Sequence, residues 1–196
     1  MRTEQVSPLC GRRVLVAVSG SIAAVKTPLL VSALIKAGAE VRCLVTTSGA
    51  ALVSPVALAS LSRHRCYLEA DQWDSASSRP LHIELAEWAE LAIVAPLSAS
   101  SLSRWSQGSA DGLLASVLLA MEAPVIAAPA MNTAMWRHPA VQRNWQQVQS
   151  FPGVIPLVPA SGLLACDRVG DGRMADPLLI ELAAASVFSR GAHAPD

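Results

Sequence analysis

Lysine is almost missing from this 196-residue chain: Lys26 and Lys36 are the only two, and charged side chains of every kind make up 15% of it. So little charge excludes a disordered or coiled-coil chain, both of which are rich in charge. Fifteen basic residues balance fifteen acidic ones, so no net field draws the protein to nucleic acid or to an anionic membrane. The four cysteines, Cys10, Cys43, Cys66 and Cys166, contain no C-x-x-C pair, which argues against a zinc site, and no metal is expected. No disulfide framework is evident either, and a reducing cytoplasm is the default setting. A bilayer span needs about 20 mainly apolar residues. The uncharged stretch from Cys43 to Ser62 is broken by Thr46-Thr47-Ser48-Gly49 and Ser54-Pro55. A secretion signal fails similarly: the run Val14–Val18 after Arg12-Arg13 is short and ends at Ser19-Gly20-Ser21. The dinucleotide fingerprint G-x-G-x-x-G is absent, and Gly20–Thr27 misses the phosphate-loop pattern because Val25 stands at its second glycine.

What is present is apolar. Hydrophobic residues make up 52% of the chain and the mean hydropathy is +0.39, ample for one domain over residues 1–196, with an ordered core of about residues 12–190 and loose tails at Met1–Gly11 and His193–Asp196. So low a charge density on so small a protein suggests a surface partly buried against other subunits. Short apolar runs at Val14–Val18, Val41–Val45, Leu91–Ala95, Val125–Ala128 and Val154–Val158 read as buried strands, with Cys43 inside the second. Between them the spacing predicts helices over Ser21–Ala37, capped by Gly38, and over Val53–Leu61, Pro80–Glu90, Ser101–Met121 with a break near Gly108, and Thr133–Gln149. Gln72–Arg79 reads as a loop. A last helix starts at Asp176-Pro177 and reaches Arg190. Strands alternating with helices predict an α/β fold: a three-layer, doubly wound parallel sheet of the Rossmann or flavodoxin kind.

Ligands in such sheets bind beyond the carboxyl ends of the strands. The segments there are Ser19-Gly20-Ser21-Ile22, Thr46-Thr47-Ser48, Pro96-Leu97-Ser98-Ala99-Ser100-Ser101, Pro129-Ala130-Met131-Asn132 and Pro159-Ala160-Ser161-Gly162. Nearly all supply small residues, hydroxyls or amides and none supplies a lysine, a rim suited to a mononucleotide phosphate held by N–H groups and hydroxyls. Serine and glycine also make ordinary turns and caps, but five such loops on one edge favour a ligand. Three residues could do chemistry. His82 opens a helix, where free N–H groups disfavour the imidazolium and leave a neutral base; a solvent-facing histidine fits as well. Asn132 precedes a helix and is equally an ordinary N-cap. Cys166 sits in the glycine-bearing segment 162–174, which reads as a flap and makes it a candidate for proton transfer or redox work.

Pro129-Ala130-Met131-Asn132-Thr133-Ala134-Met135-Trp136 resembles the P-x-M-N-x-x-M-W signature of the flavin-containing cysteine decarboxylases. Ser19–Lys26 resembles their flavin-phosphate loop, His82-Ile83-Glu84-Leu85 their histidine segment, and Leu164-Ala165-Cys166 with Gly170, Gly172, Arg173 and Met174 the substrate flap of the member that serves coenzyme A biosynthesis. The resemblance spans about Arg13 to Pro177. It implies FMN, held by Gly20, Ser21, Ile22, Thr46, Ser48, Ser98, Ala99, Ser100, Ser101 and Ala130. It implies 4′-phospho-N-pantothenoyl-cysteine as the small-molecule substrate, bound by Asn132, Met131, Leu164 and Ala165 and converted to 4′-phosphopantetheine. The implied reaction is redox-neutral: thiol oxidation with His82 as base, loss of CO2, then re-reduction with Cys166 as proton donor. It also implies trimers or multiples of trimers, with the site between neighbouring copies. Ser100 stands where the family has asparagine, Ser101 where it has threonine, and Asp167 where glycine is common. Rival readings are a flavin prenyltransferase, which the asparagine motif and the cysteine flap disfavour; a non-catalytic flavoprotein subunit, which the presence of both His82 and Cys166 disfavours; and a generic mononucleotide-binding module.

Overall fold

The valine-rich run after Arg12 forms strand β1 (Arg13–Val18), whose side chains alternate between two cores: Val14, Val16 and Val18 on one face, Leu15 and Ala17 on the other. The computed structural model describes residues 6–74, 78–163 and 169–191. After β1 come α1 (Thr27–Lys36), β2 (Glu40–Val45), α2 (Thr47–Ala50), α3 (Pro55–Ser62), β3 (Cys66–Leu68), α4 (Leu81–Trp88), β4 (Leu91–Leu97), α5 (Ala99–Gln107) and α6 (Leu113–Ala120). The chain continues through β5 (Val125–Pro129), α7 (Thr133–Trp136), α8 (Pro139–Gln149), β6 (Val154–Pro156), β7 (Ala160–Leu163), β8 (Val169–Arg173) and α9 (Pro177–Gly191). Six strands pair in parallel in the order β3-β2-β1-β4-β5-β6. Helices α1, α3 and α9 cover one face, and α4, α5, α6 and α8 the other. This is the expected three-layer doubly wound sandwich. Every residue of β4 is buried, as an apolar strand enclosed on both faces requires.

Several local features differ from the sequence reading, each for a physical reason. A single helix over Ser21–Ala37 would place Pro28 in its interior, with no N–H to give and a ring against the carbonyl of Ala24. The chain instead makes a 3-10 turn over Ile22–Lys26 and restarts as α1 with Pro28 in the first turn. Thr133–Gln149 also divides, because His138 before Pro139 is extended (φ −65°, ψ 132°). Trp136 then packs edge-on against Trp145, with centroids 5.7 Å apart, and holds α7 against α8. Strand β3 has three residues, too few for a readable alternation, and a second 3-10 turn over Glu69–Trp73 follows it. The segment before β1 packs from Ser7 onward: Leu9 is 1% exposed and the Gly11 N–H donates to the Gly38 carbonyl at 2.9 Å. Pro159–Gly162 leads into a separate antiparallel hairpin, β7-β8, instead of forming a loop on the rim. The break at Gly108 is as expected, with that glycine left-handed at φ 69°, and Asp176 caps α9 by accepting the Leu178 N–H at 3.0 Å.

Cys43 on β2 lies in register with Cys66 on β3. Burial, then the neighbouring Cys66 thiol, pushes Cys43 up to about 12; burial, then the Asp71 carboxylate, pushes Cys66 up to about 11. Only the thiolate is nucleophilic, so Cys43 is inert at neutral pH. Iodoacetamide labelling at pH 8 with peptide mapping is expected to modify exposed Cys10 within minutes and Cys43 only after denaturation. Equal rates for the two would contradict the burial that sets this shift.

Candidate active site

From β1 the chain builds outward through β2 and β3 on one side and, after returning, through β4, β5 and β6 on the other. The segments leaving β1 and β4 therefore diverge, and a crevice opens where they part. Ser19 fixes the geometry of that point. It is fully buried; its Oγ donates to the Pro96 carbonyl at 2.7 Å and accepts the Ser98 N–H at 2.7 Å. Thr27 adds a buried hydrogen bond from Oγ1 to the Ala95 carbonyl at 2.9 Å. Gly20 follows, and the segment after β2 passes so close that a Cβ on Gly20 would collide with Ser48 Cβ. Thr46 and Ser98 cap α2 and α5, accepting the N–H groups of Gly49 at 3.1 Å and Ser101 at 3.3 Å.

Two cavities meet here. The larger, about 610 Å³, lies over the ends of β1, β4 and β5, and Ile22, Ala23, Val25, Met131, Met135 and Met174 give it a mainly apolar wall. The smaller, about 300 Å³, is bounded by the hydroxyls of Thr46, Thr47, Ser48 and Ser101. Both share Gly20, Ser98 and Ser100. The carboxylates at the smaller cavity are engaged: Glu69 accepts the Leu113 N–H at 2.6 Å, and Asp111 pairs with Arg104 at 3.0 Å.

Asn132 lies at the larger cavity and caps α7, its Oδ1 accepting the Ala134 N–H at 2.8 Å. The β7-β8 hairpin closes over this segment. Met131 N–H donates to the Gly172 carbonyl at 2.9 Å, and Gly172, at φ 117°, sits so near the Met131 carbonyl that no side chain fits. Asp171 fastens the hairpin. Its carboxylate accepts the Ser161 hydroxyl at 2.6 Å and pairs with Arg137 at 2.9 Å, while its carbonyl accepts the Thr133 hydroxyl at 2.7 Å. The Ser161 hydrogen bond, then Arg137, holds this carboxyl below its usual range. The folded form thus binds a proton more weakly than the unfolded chain, so the fastening is complete above the usual carboxylate range and fades as pH falls below it. In Asp171→Asn, hydrogen exchange across Val169–Arg173 is expected to speed up by about tenfold while the core strands stay protected. Unchanged exchange in the hairpin would show that Asp171 does not hold it.

Of the residues singled out in the sequence, Gly20, Ser21, Ile22, Ser98, Ala99, Ser100, Ala130, Met131 and Asn132 line the larger cavity. Thr46, Ser48 and Ser101 line the smaller. His82 lines neither. It lies in the first turn of α4, which is seated by buried Leu81 and Leu85 and tied to β2 through Arg42, paired with Glu84 at 3.2 Å and stacked on Trp88 at 4.3 Å. Leu164, Ala165 and Cys166 fall outside the described residues. Lys26, Met135 and Arg173 at the larger cavity were read only as members of the flavin-phosphate loop, the P-x-M-N-x-x-M-W motif and the flap, with no role of their own, and Glu69, Arg104 and Gly112 at the smaller were missed. Met135 had a signal, its place in the P-x-M-N-x-x-M-W motif; Glu69 had none, because β3 was not legible.

A doubly wound sandwich with an apolar cavity beside a hydroxyl-lined one at its switch point defines a mononucleotide-binding protein. A family model described as Flavoprotein matches residues 3–182. The chain is 38% identical to mouse phosphopantothenoylcysteine decarboxylase over 184 residues, covering 91% of this chain and 88% of that protein. It is 41% identical over 187 residues to the bifunctional coenzyme A biosynthesis protein CoaBC of Bacillus subtilis, covering 95% of this chain but 46% of that protein, so it spans under half of that relative. The solved structure of the FMN binding protein AtHal3 superimposes with a TM-score of 0.82 at 35% identity, over 91% of this chain and 97% of that one. The chain belongs to the flavoprotein family, within the phosphopantothenoylcysteine decarboxylase group.

Proposed function

We propose that this chain is an FMN-dependent decarboxylase that converts 4′-phospho-N-pantothenoyl-cysteine to 4′-phosphopantetheine and CO2. The observation that carries the reading is the meeting of the two cavities at Gly20, Ser98 and Ser100, with Asn132 on the apolar one. An apolar cavity opening into a hydroxyl-lined one fits a cofactor with a flat ring and a phosphorylated polar tail. Gly20, Ser21, Ile22, Thr46, Ser48, Ser98, Ala99, Ser100, Ser101 and Ala130 would hold it, with the apolar wall toward the ring and the hydroxyls and N–H groups where the two cavities meet toward the phosphate. FMN bound there supplies a two-electron acceptor that can return what it takes. The protein's own task is to orient the substrate. The Ala134 N–H on Asn132 Oδ1 holds the carboxamide at the larger cavity, where Asn132 would bind the cysteine carboxylate. His82 takes the thiol proton as the Cβ–S carbon is oxidised. The resulting thiocarbonyl would accept the electron pair left behind as CO2 departs, and Cys166 would supply the proton when two electrons return to that carbon, so no external oxidant is consumed.

His82 lines neither cavity of its own chain, so the reading has a second copy deliver it. Ile22 and Val25 at the larger cavity, Leu29 on α1, and Leu178 and Leu182 on α9 are each more than half exposed. Such apolar exposure supports self-association, which we read as a trimer or a multiple of one. The FMN-loaded protein, incubated anaerobically with phosphopantothenoylcysteine, is expected to release CO2 and phosphopantetheine in equal amounts; no CO2 would refute the reading. Cys166→Ser is expected to release CO2 yet fail to complete phosphopantetheine. Normal completion by that variant would remove Cys166 from the role of proton donor.

A further inference from the structure

We propose that Ser19 is a positioning residue for the cofactor phosphate: it touches no ligand, but aims the first turn of α5 at the junction of the two cavities and so sets a preference for FMN over riboflavin; this rests on the phosphate placement given above. Ser19 is fully buried and lines neither cavity. A buried hydroxyl is costly unless it is hydrogen-bonded, and this one is engaged twice. Its Oγ donates to the Pro96 carbonyl and accepts the Ser98 N–H, each at 2.7 Å. It caps no helix, since the 3-10 turn that follows has Ser21 at its N-cap. Its two partners stand 77 and 79 residues further along the chain. The hydroxyl therefore serves the tertiary fold, at the point where β1 and β4 part.

The backbone of Ser19 extends the clamp. Its N–H donates to the same Pro96 carbonyl at 3.2 Å, and its carbonyl accepts the Ser21 N–H at 2.9 Å. One residue thus holds Ser21 on the β1 side and Ser98 on the β4 side, and both of these line the larger cavity. Ser98 passes the constraint into α5. Its Oγ accepts the Ser101 N–H and donates to the Ser101 hydroxyl, both at 3.3 Å. The first turn of a helix has N–H groups with no partner inside the helix and a partial positive charge, both suited to a phosphate. Within that turn Ser101 lines the smaller cavity and Ser100 lines both. Thr27 supplies the contrast. It is equally buried and its Oγ1 donates to the Ala95 carbonyl at 2.9 Å, but neither Thr27 nor Ala95 lines a cavity.

The test titrates the full-length apoprotein with FMN and with riboflavin, followed by flavin fluorescence. The wild-type protein is expected to bind FMN more tightly. Ser19→Ala leaves the Ser98 N–H without its acceptor and is expected to cut that preference by about tenfold, by weakening FMN while riboflavin changes little. Ser19→Cys fills the same place with a weaker hydrogen-bonding group and is expected to lie between the two; it decides by the same ratio if the alanine variant does not fold. Thr27→Val loses a buried hydrogen bond of the same kind and is expected to unfold at a lower temperature with the preference unmoved. Equal weakening of FMN and riboflavin in the Ser19 variants would show a structural role alone and overturn the proposal. An equal fall in preference in Thr27→Val would overturn it too. A wild type that binds both flavins equally would refute the phosphate placement itself, whereas a wild type that prefers FMN beside Ser19 variants that keep the preference would refute only the role of Ser19.

Discussion

His82→Asn is expected to lower CO2 release from phosphopantothenoylcysteine by about 10²- to 10⁴-fold, the range that a positioned general base supplies. Asparagine keeps a polar group in the first turn of α4 but cannot take a proton. Since Leu81, Leu85 and the Arg42–Glu84 pair seat α4 without His82, the variant should fold and retain cofactor, which separates lost chemistry from lost structure. The loss should also be repairable. Asn132 lines the larger cavity and His82 lines neither, so co-assembling His82→Asn protomers with Asn132→Ala protomers is expected to regenerate sites in which one copy supplies the asparagine and its neighbour the histidine. Full activity of His82→Asn alone would remove this residue from the mechanism. Failure of the mixture to recover activity would contradict a site shared between copies.

Gly20→Ala is expected to weaken FMN binding by about 10- to 100-fold. The added Cβ meets Ser48 Cβ, and both atoms are fixed directly to backbone, so neither can rotate away. The segments after β1 and β2 must separate, and overpacking of this kind costs about 1–3 kcal/mol. The separation opens the junction that the two cavities share. Adding Ser48→Gly to the variant removes the opposing atom and is expected to recover part of the affinity in a fluorescence titration. Undiminished FMN affinity in Gly20→Ala would show that this close approach does not shape the cofactor site.

The architecture was legible because each central strand is a short valine-, leucine- or alanine-rich run between helical stretches, and burial on both faces demands such a run. The rim was legible for the same reason: residues at strand ends must cap helices and turn tightly, so Ser98, Thr46 and Gly20 announce their positions. Pro28 and Pro139 carried the helix breaks in plain view, yet periodicity alone runs through them; the missing N–H decides. Strand β3 escaped because three residues are too few to show an alternation, and the β7-β8 hairpin because its glycine-bearing strands, Ala160–Leu163 and Val169–Arg173, carry no apolar alternation to read. Arg173 was legible as part of the flap segment, but nothing in Gly170–Met174 says that it folds back over Met131. His82 shows a different limit. Its segment was readable, but His82 lines neither cavity of its own chain, so its proposed role requires a second copy that one chain's fold does not reveal.

The central claim is that a flavin at this crevice exchanges electrons with the thiol-bearing carbon of the substrate. Anaerobic mixing of FMN-loaded Cys166→Ser protein with phosphopantothenoylcysteine, followed by visible absorbance, tests it most directly. The account predicts that the oxidised flavin band bleaches and stays bleached while CO2 is released. CO2 release with the band unchanged, or a protein that stays colourless in excess FMN, would contradict it.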